Sequence, residues 1–260
     1  MLKRILSFLG VYKLYERWLW QQVKNETPPE HIALILDGNR RWASSKELNP
    51  WLGHQKGADT VEQLLEWCLK LNVKYVTLYT FSTENFTRNS IEVEEIMRIA
   101  GERFLKLLTD ETIHKNRVHV KVLGRTNMLP ENLQKRIKDV EDATANYDNQ
   151  FLNFAFAYGG RAEIVDATKI IAEQVKAGQI QPQDINESTI EKYLYTAHMT
   201  KQEPDLIIRT SGEERLSGFL VWQSAYSELA FLDVYWPDFR FIDLLRAIRT
   251  YQKRKRRYGS

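Results

Sequence analysis

Asp37, Gly38, Asn39, Arg40, Arg41 and Trp42 follow directly on the apolar run Ile32 to Leu36. An Asp-Gly turn needs neither arginine. Two guanidinium groups at such a point ask for an anion, and the carboxylate asks for a cation. If the run is a strand and the next residues open a helix, backbone N–H groups and the positive end of the helix dipole add to a phosphate site. The Asp37 carboxylate would then hold Mg²⁺, which takes oxygen ligands, keeps several waters and is shared with phosphates.

Three further segments carry similar chemistry. GHQKGA, residues 53–58, has two glycines that permit close approach and a histidine, His54, within reach of a phosphate oxygen. FSTENFTR, residues 81–88, presents Ser82, Asn85 and Arg88. RTSGEERLSGF, residues 209–219, sets Arg209, Arg215 and Ser217 around Gly212. Arginines with a serine in a glycine-containing turn suit bidentate anion recognition. Singly, each has an ordinary reading: Asp37 as an N-cap, His54 or Asn85 as a local cap, lone arginines in surface ion pairs. Four such segments in one chain outweigh those readings. No GxxxxGK[ST] loop and no GxGxxG after a strand is present, so the standard ATP and NAD fingerprints are absent. A phosphatase with an aspartate nucleophile would want a second Asp where Asn39 stands.

The elements that position these residues alternate. Strands are expected at Ile32–Leu36, Tyr75–Phe81, Val118–Leu123, Phe151–Ala157, Leu206–Ile208 and Leu229–Leu232. Helices are expected at Gly53–Leu71, Ile91–His114, Pro130–Asn146, Arg161–Lys176, Phe219–Ala225 and Phe239–Arg257. The alternation predicts an α/β fold, one domain with a mostly parallel central sheet flanked by helices. Ligands of such sheets bind beyond the carboxyl ends of the strands. Asp37, Ser82 and Arg209 each follow or end a strand, which predicts one convergent site. Between the polar turns lie Phe104, Leu107, Phe154, Phe156 and other apolar side chains, core by default. Some could line a pocket for a hydrocarbon, so a diphosphate head with an apolar tail would meet both demands.

The chain has 260 residues and a net charge of +3, which gives no indication of a nucleic-acid binder. Its one cysteine, Cys68, excludes an internal disulfide and implies a reducing, cytoplasmic setting. Residues 1–27 read as a separate N-terminal segment. Leu2, Ile5, Leu6, Leu9, Tyr12 and Trp18 could share one helical face near Lys3, Arg4, Lys13 and Arg17. That pattern fits either a peripheral contact with an anionic membrane or a helix packed on the domain; it is too short to span a bilayer.

HIALILDGNRRWA, GHQKGA, YTFSTENFTR, FAYGGRAEI, DLIIRTSGEERLSGFLVWQSAYSELAF and the closing RRYGS resemble the cis-prenyltransferases, in order from about residue 28 to 260. The resemblance implies a parallel-sheet α/β domain with a hydrophobic tunnel. It also implies condensation of isopentenyl diphosphate with an allylic diphosphate, giving a Z-polyprenyl diphosphate, a glycosyl carrier lipid precursor. By it, Asp37 binds Mg²⁺, Glu228 is linked to the metal, Gly38, Asn39, Arg40 and Arg41 form the loop that receives the allylic diphosphate with Trp42 packed beside it, and His54 contacts phosphate. Ser82, Thr83, Glu84, Asn85, Phe86 and Arg88 fall near the reacting centre. Arg209, Arg215, Leu216 and Ser217 fall at the isopentenyl diphosphate site. Asn85 is a poor base, so its expected role is to orient the proton acceptor. Arg257 and Gly259 match a C-terminal Arg-x-Gly that implies a self-sufficient homodimer; the alternatives are a catalytic subunit with a separate partner, or a short-chain or atypical variant. Two departures stand out: Arg40 replaces a common glycine, and Pro50 replaces an arginine four residues before His54.

Overall fold

The computed structural model describes residues 11–254. Among them, β1 (His31–Ile35), β2 (Tyr75–Ser82), β3 (Val118–Leu123), β4 (Gln150–Tyr158), β5 (Leu206–Arg209) and β6 (Glu228–Phe231) form one sheet. The order is β3-β4-β2-β1-β5-β6, and every neighbouring pair is parallel. The helices are α1 (Val11–Val23), α2 (Asn39–Ser44), α3 (Pro50–Lys70), α4 (Ser90–Leu107), α5 (Glu111–Lys115), α6 (Glu131–Thr144), α7 (Gly160–Lys176), α8 (Glu187–Glu191) and α9 (Phe241–Lys253).

β1 and β5 are buried along their whole length, which is why they read as unbroken apolar runs. Alternate side chains still divide between the two faces. Ile32 and Leu34 join the large core, with Leu64 and Leu65 of α3, Met97 of α4 and Leu245 of α9. Ala33 and Ile35 join a smaller one built on Tyr79, Tyr158 and Phe219. Cys68 is fully buried in the large core, as its apolar setting predicts. The strand order carries the functional consequence: β2, β1 and β5 are adjacent, so the three polar strand ends meet.

Several boundaries differ from the pattern reading. The helix expected over Ile91–His114 stops at Leu107 and restarts as α5, because the Asp110 carboxylate accepts hydrogen bonds from Thr112 N at 2.8 Å and Ile113 N at 3.3 Å. An N-cap inside an apolar pattern ends one helix and starts another. The expected helix Phe219–Ala225 is a run of turns, with Gly218 at φ 76° and Leu220 at φ 45°. Left-handed backbone is incompatible with a continuous α-helix. α3 begins three residues early, at Pro50, where a missing N–H costs nothing. α9 starts at Phe241 and is described to Lys253.

α1 packs on the domain. Leu19 and Val23 are buried, the Trp20 ring lies 5.9 Å from Phe241, and the Gln252 amide donates to Val23 O at 3.1 Å. Tyr12 packs against the core while Leu14, Tyr15 and Trp18 stay exposed, so Tyr12 and Trp18 do not share a face as the pattern implied. Leu2 to Leu9 lie outside the described residues. Among those described, no helix is long and apolar enough to cross a membrane.

Candidate active site

A cleft of about 920 Å³ opens beyond the carboxyl ends of β2, β1 and β5. Asp37 stands at its centre, two residues past β1. Its backbone is clamped: Thr210 Oγ accepts from Asp37 N at 3.0 Å and donates to Asp37 O at 2.7 Å, and Trp236 N donates to the same carbonyl at 3.0 Å. Asp37 Oδ2 accepts from Arg209 Nη2 at 2.8 Å, and Oδ1 from Arg41 Nη2 at 3.2 Å. Burial by itself would raise the Asp37 carboxyl; the hydrogen bond and charge of Arg209, with Arg41 behind it, outweigh burial and hold it below the ordinary value. The group is an anion at neutral pH.

Arg209 is only 5% exposed. Its Nη1 donates to Ser217 Oγ at 2.9 Å and to the carbonyl of Arg215. Arg41 reaches Ser211 Oγ at 2.6 Å and Glu213 Oε1 at 3.2 Å, and Arg215 pairs with Glu213. Ser211 and Ser217 both have positive φ, 79° and 51°. Backbone held this way away from glycine is strained and concentrates at functional sites.

A second cationic cluster faces the first across the cleft. Glu92 Oε1 accepts from Arg88 Nη1 at 3.0 Å and from His54 Nε2 at 3.3 Å, and Glu92 Oε2 lies 3.7 Å from Arg40 Nη1. Burial lowers the His54 pKa, the Glu92 carboxylate works against it, and the net direction is down, so the imidazole is neutral at pH 7. Arg40 therefore brings a cation to the place where His54 stands, although Pro50 supplies none.

The two glycines of GHQKGA let α3 lean on this loop. A Cβ on Gly53 would sit 2.1 Å from Asn39 O, and one on Gly57 would sit 2.4 Å from Asn39 Oδ1. Gly38 itself has φ 104°, and a Cβ there would meet the Tyr235 ring at 2.7 Å. Asn85 caps the turn after β2: its Oδ1 accepts from Ser82 N at 3.1 Å, which leaves its NH₂ as the group offered to the cleft.

Next to the polar cleft lies an apolar cavity of about 140 Å³ between α3, α4 and the sheet. Val61, Ile99, Phe104, Leu107, Phe154 and Phe156 line it. Leu36, Asn39, His54, Thr80 and Ile96 line both spaces, so the two adjoin.

Asp37, Gly38, Asn39, Arg40, Arg41, His54, Ser82, Glu84, Asn85, Arg88, Arg209, Arg215 and Ser217 thus border a single cleft. Five expected site residues stand elsewhere. Trp42 is buried behind the loop, its indole donating to Asp238 Oδ1 at 2.8 Å. Thr83 packs beside Gly159, Phe86 lies edge-on to Phe81 at 4.9 Å, and Leu216 joins the smaller core. Glu228 opens β6 opposite Leu206, while Asp37 lies beyond the far end of β1. Three strand residues alone separate the two ends by about 10 Å, and Glu228 instead pairs with Arg254 at 2.5 Å. Within one chain Glu228 therefore does not border the cleft that holds Asp37. Arg257 and Gly259 lie outside the described residues.

Thr210, Ser211 and Glu213 lie within the segment 209–219 but had no individual role assigned, and Glu92 and Tyr235 were not anticipated. Glu92 had a local signal, an acid four residues after Arg88 at helical spacing. Tyr235, whose ring lies 5.8 Å from the Arg41 guanidinium, had none.

Asp37 has one carboxylate, and among the described residues no group of three His, Cys, Asp or Glu could hold a metal. Mg²⁺ fits that donor set, because it binds through one or two carboxylates plus substrate phosphates and water rather than an all-protein cage.

Residues 35–259 match the family described as "Putative undecaprenyl diphosphate synthase". The Methanopyrus kandleri tritrans,polycis-undecaprenyl-diphosphate synthase (geranylgeranyl-diphosphate specific) is 53% identical over 98% of this chain and 93% of its own length. The Thermococcus kodakarensis protein of the same description is 50% identical over the full length of both chains. Among solved structures, lavandulyl diphosphate synthase from Lavandula x intermedia, in complex with dimethylallyl diphosphate, superposes with a TM-score of 0.85 at 35% identity, covering 90% of this chain and 99% of that one. An all-parallel sheet with an arginine-rich cleft at its carboxyl edge, matched along nearly its whole length by such enzymes, places this chain in the undecaprenyl diphosphate synthase family, and it is a cis-prenyltransferase.

Proposed function

We propose that the protein catalyses Mg²⁺-dependent cis-prenyl chain elongation, adding isopentenyl diphosphate to an allylic diphosphate to give a long Z-polyprenyl diphosphate, a glycosyl carrier lipid precursor. The observation that carries this reading is the shared wall between the arginine-rich cleft and the apolar cavity, Leu36, Asn39, His54, Thr80 and Ile96. One substrate needs both environments at once: a diphosphate in the cleft and a hydrocarbon beside it.

Arg40, Arg41, Arg88 and the N–H groups opening α2 hold the allylic diphosphate, with neutral His54 as a hydrogen-bond donor. Arg209, Arg215 and Ser217 hold the isopentenyl diphosphate. Bond formation joins the terminal alkene carbon to the allylic carbon, the allylic C–O bond breaks, and diphosphate leaves with the electron pair. Arginines fixed before the reaction stabilise that leaving charge without reorganising. Mg²⁺ held by Asp37 would add charge neutralisation at the same oxygens. The apolar wall keeps water from the electron-poor allylic carbon. The lost proton passes to diphosphate or water; Asn85, offering an NH₂ and not a free oxygen, orients that acceptor and does not itself take the proton.

The relatives named geranylgeranyl-diphosphate specific support geranylgeranyl diphosphate as the primer. A peripheral membrane contact through Leu14, Tyr15 and Trp18, and a self-sufficient homodimer in the cytoplasm, complete the reading. The test is purified protein with Mg²⁺, labelled isopentenyl diphosphate and allylic primers of rising length. Incorporation highest with geranylgeranyl diphosphate is expected. No incorporation without an added protein partner would overturn the self-sufficient enzyme, and none with any addition would overturn the reaction.

A further inference from the structure

The apolar cavity ends in charge. Moving away from the cleft, its lining passes from His54 to Val61 and Glu62 along α3 and from Ile96 to Arg103 and Lys106 along α4. At that outer end Arg103 Nη2 meets Asp59 Oδ1 at 2.6 Å, Arg103 Nη1 meets Glu62 Oε1 at 2.6 Å, and Lys106 Nζ meets Glu62 Oε2 at 2.7 Å. All three pairs bridge α3 to α4. The long stems of Arg103 and Lys106 cover apolar surface while their heads stay in water, as such side chains do at a wet boundary.

The cavity is too small for what the reaction makes. A cavity of about 150 Å³ accommodates one benzene, and this one measures about 140 Å³. One five-carbon isoprene unit is of similar size, so a second or third unit needs space beyond this cavity, between α3 and α4. Packed apolar helices resist gradual widening, whereas exposed ion pairs are weak, screened by salt and easily broken. We propose that Asp59, Glu62, Arg103 and Lys106 form an ion-pair gate at the outer end of the cavity, and that the growing hydrocarbon parts α3 from α4 by breaking it. The gate sets how far elongation proceeds before product leaves. This inference rests on the prenyl-elongation reading above.

The test resolves product lengths from labelled isopentenyl diphosphate and a saturating allylic primer. Wild-type protein is assayed at low and high ionic strength, from about 0.05 to about 0.5 M, where the screening length falls severalfold. Arg103→Gln and the double variant Arg103→Gln with Lys106→Gln are assayed beside it. The mean product is expected to lengthen by at least one isoprene unit in Arg103→Gln and in the wild type at high salt. The salt response should shrink in Arg103→Gln, where Lys106 still pairs with Glu62, and vanish in the double variant. Product lengths unchanged in Arg103→Gln and unmoved by salt would overturn the gate while leaving the reaction intact. If Arg103→Gln does not fold, the wild-type salt series decides alone. No incorporation by the wild type would overturn the elongation reading and the gate with it.

Discussion

Gly53→Ala tests whether the approach of α3 to the Asp37 loop positions the catalytic groups. An added Cβ would lie 2.1 Å from Asn39 O, 2.8 Å from Asn39 C and 3.3 Å from Ala43 Cβ. Relief to an ordinary C···O separation of about 3.3 Å requires a shift of about 1.2 Å. The nearest atoms are backbone, so no side chain can turn aside. The displaced residue belongs to the first turn of α2, between Gly38 and Arg40, and the whole anion-binding turn must move with it. Overpacking of this kind costs about 1–3 kcal/mol, which lowers the melting temperature by about 2–4 °C per kcal/mol for a chain near this size. A misplacement of about 1 Å at a reacting centre costs about 100-fold in rate. The assay is kcat/KM for the allylic primer, with thermal melting followed in parallel. A drop of about 100-fold with a melting shift of a few degrees is expected. Wild-type kcat/KM in a folded Gly53→Ala protein would refute the argument that this contact sets the loop.

Asp37→Ala removes the one carboxylate held between Arg41 and Arg209, and turnover should fall by at least about 100-fold; retained turnover would overturn the metal assignment. In Glu92→Gln the two arginines beside residue 92, Arg40 and Arg88, lose their internal counter-ion. A charge-assisted hydrogen bond contributes about 1.5–3 kcal/mol, so inorganic diphosphate should bind at least about 10-fold more tightly while kcat falls; weaker diphosphate binding, read by calorimetry, would contradict the arrangement. His31 is fully buried, and burial pushes its pKa down to about 4 from the ordinary 6.5. The unfolded chain therefore binds more protons between those values, and stability falls as pH drops from about 6.5 to about 4, by about 1.4 kcal/mol per pH unit from this group. Chemical unfolding should show that slope and show it reduced in His31→Gln; equal slopes in the two proteins would remove His31 from the account.

The strands, the chemistry of the three polar strand ends and the reaction family were legible in the residues, because local polarity and period report burial directly. Motif residues within a few positions of one another, such as Asp37 with Arg41 or Arg209 with Ser217, were grouped into one segment by spacing alone, though not paired. Contacts across long separations were not. Asp37 meets Thr210 and Arg209 only because β1 and β5 are neighbours, and that order is decided by which faces pack, not by the segment's own composition. The same register carries Glu228 to the opposite end of the sheet from Asp37, against the expectation from motif matching. Helix limits failed where one side chain outweighed a periodic pattern, at Asp110, and where left-handed backbone at Gly218 and Leu220 broke one. Trp42 and Phe86 illustrate the remaining gap: an aromatic side chain in an active-site motif looks the same whether it faces the ligand or the core, and only packing decides which. The sequence by itself determined which residues could bind a diphosphate; the tertiary structure decided which of them share one cleft and which hold it in place from behind.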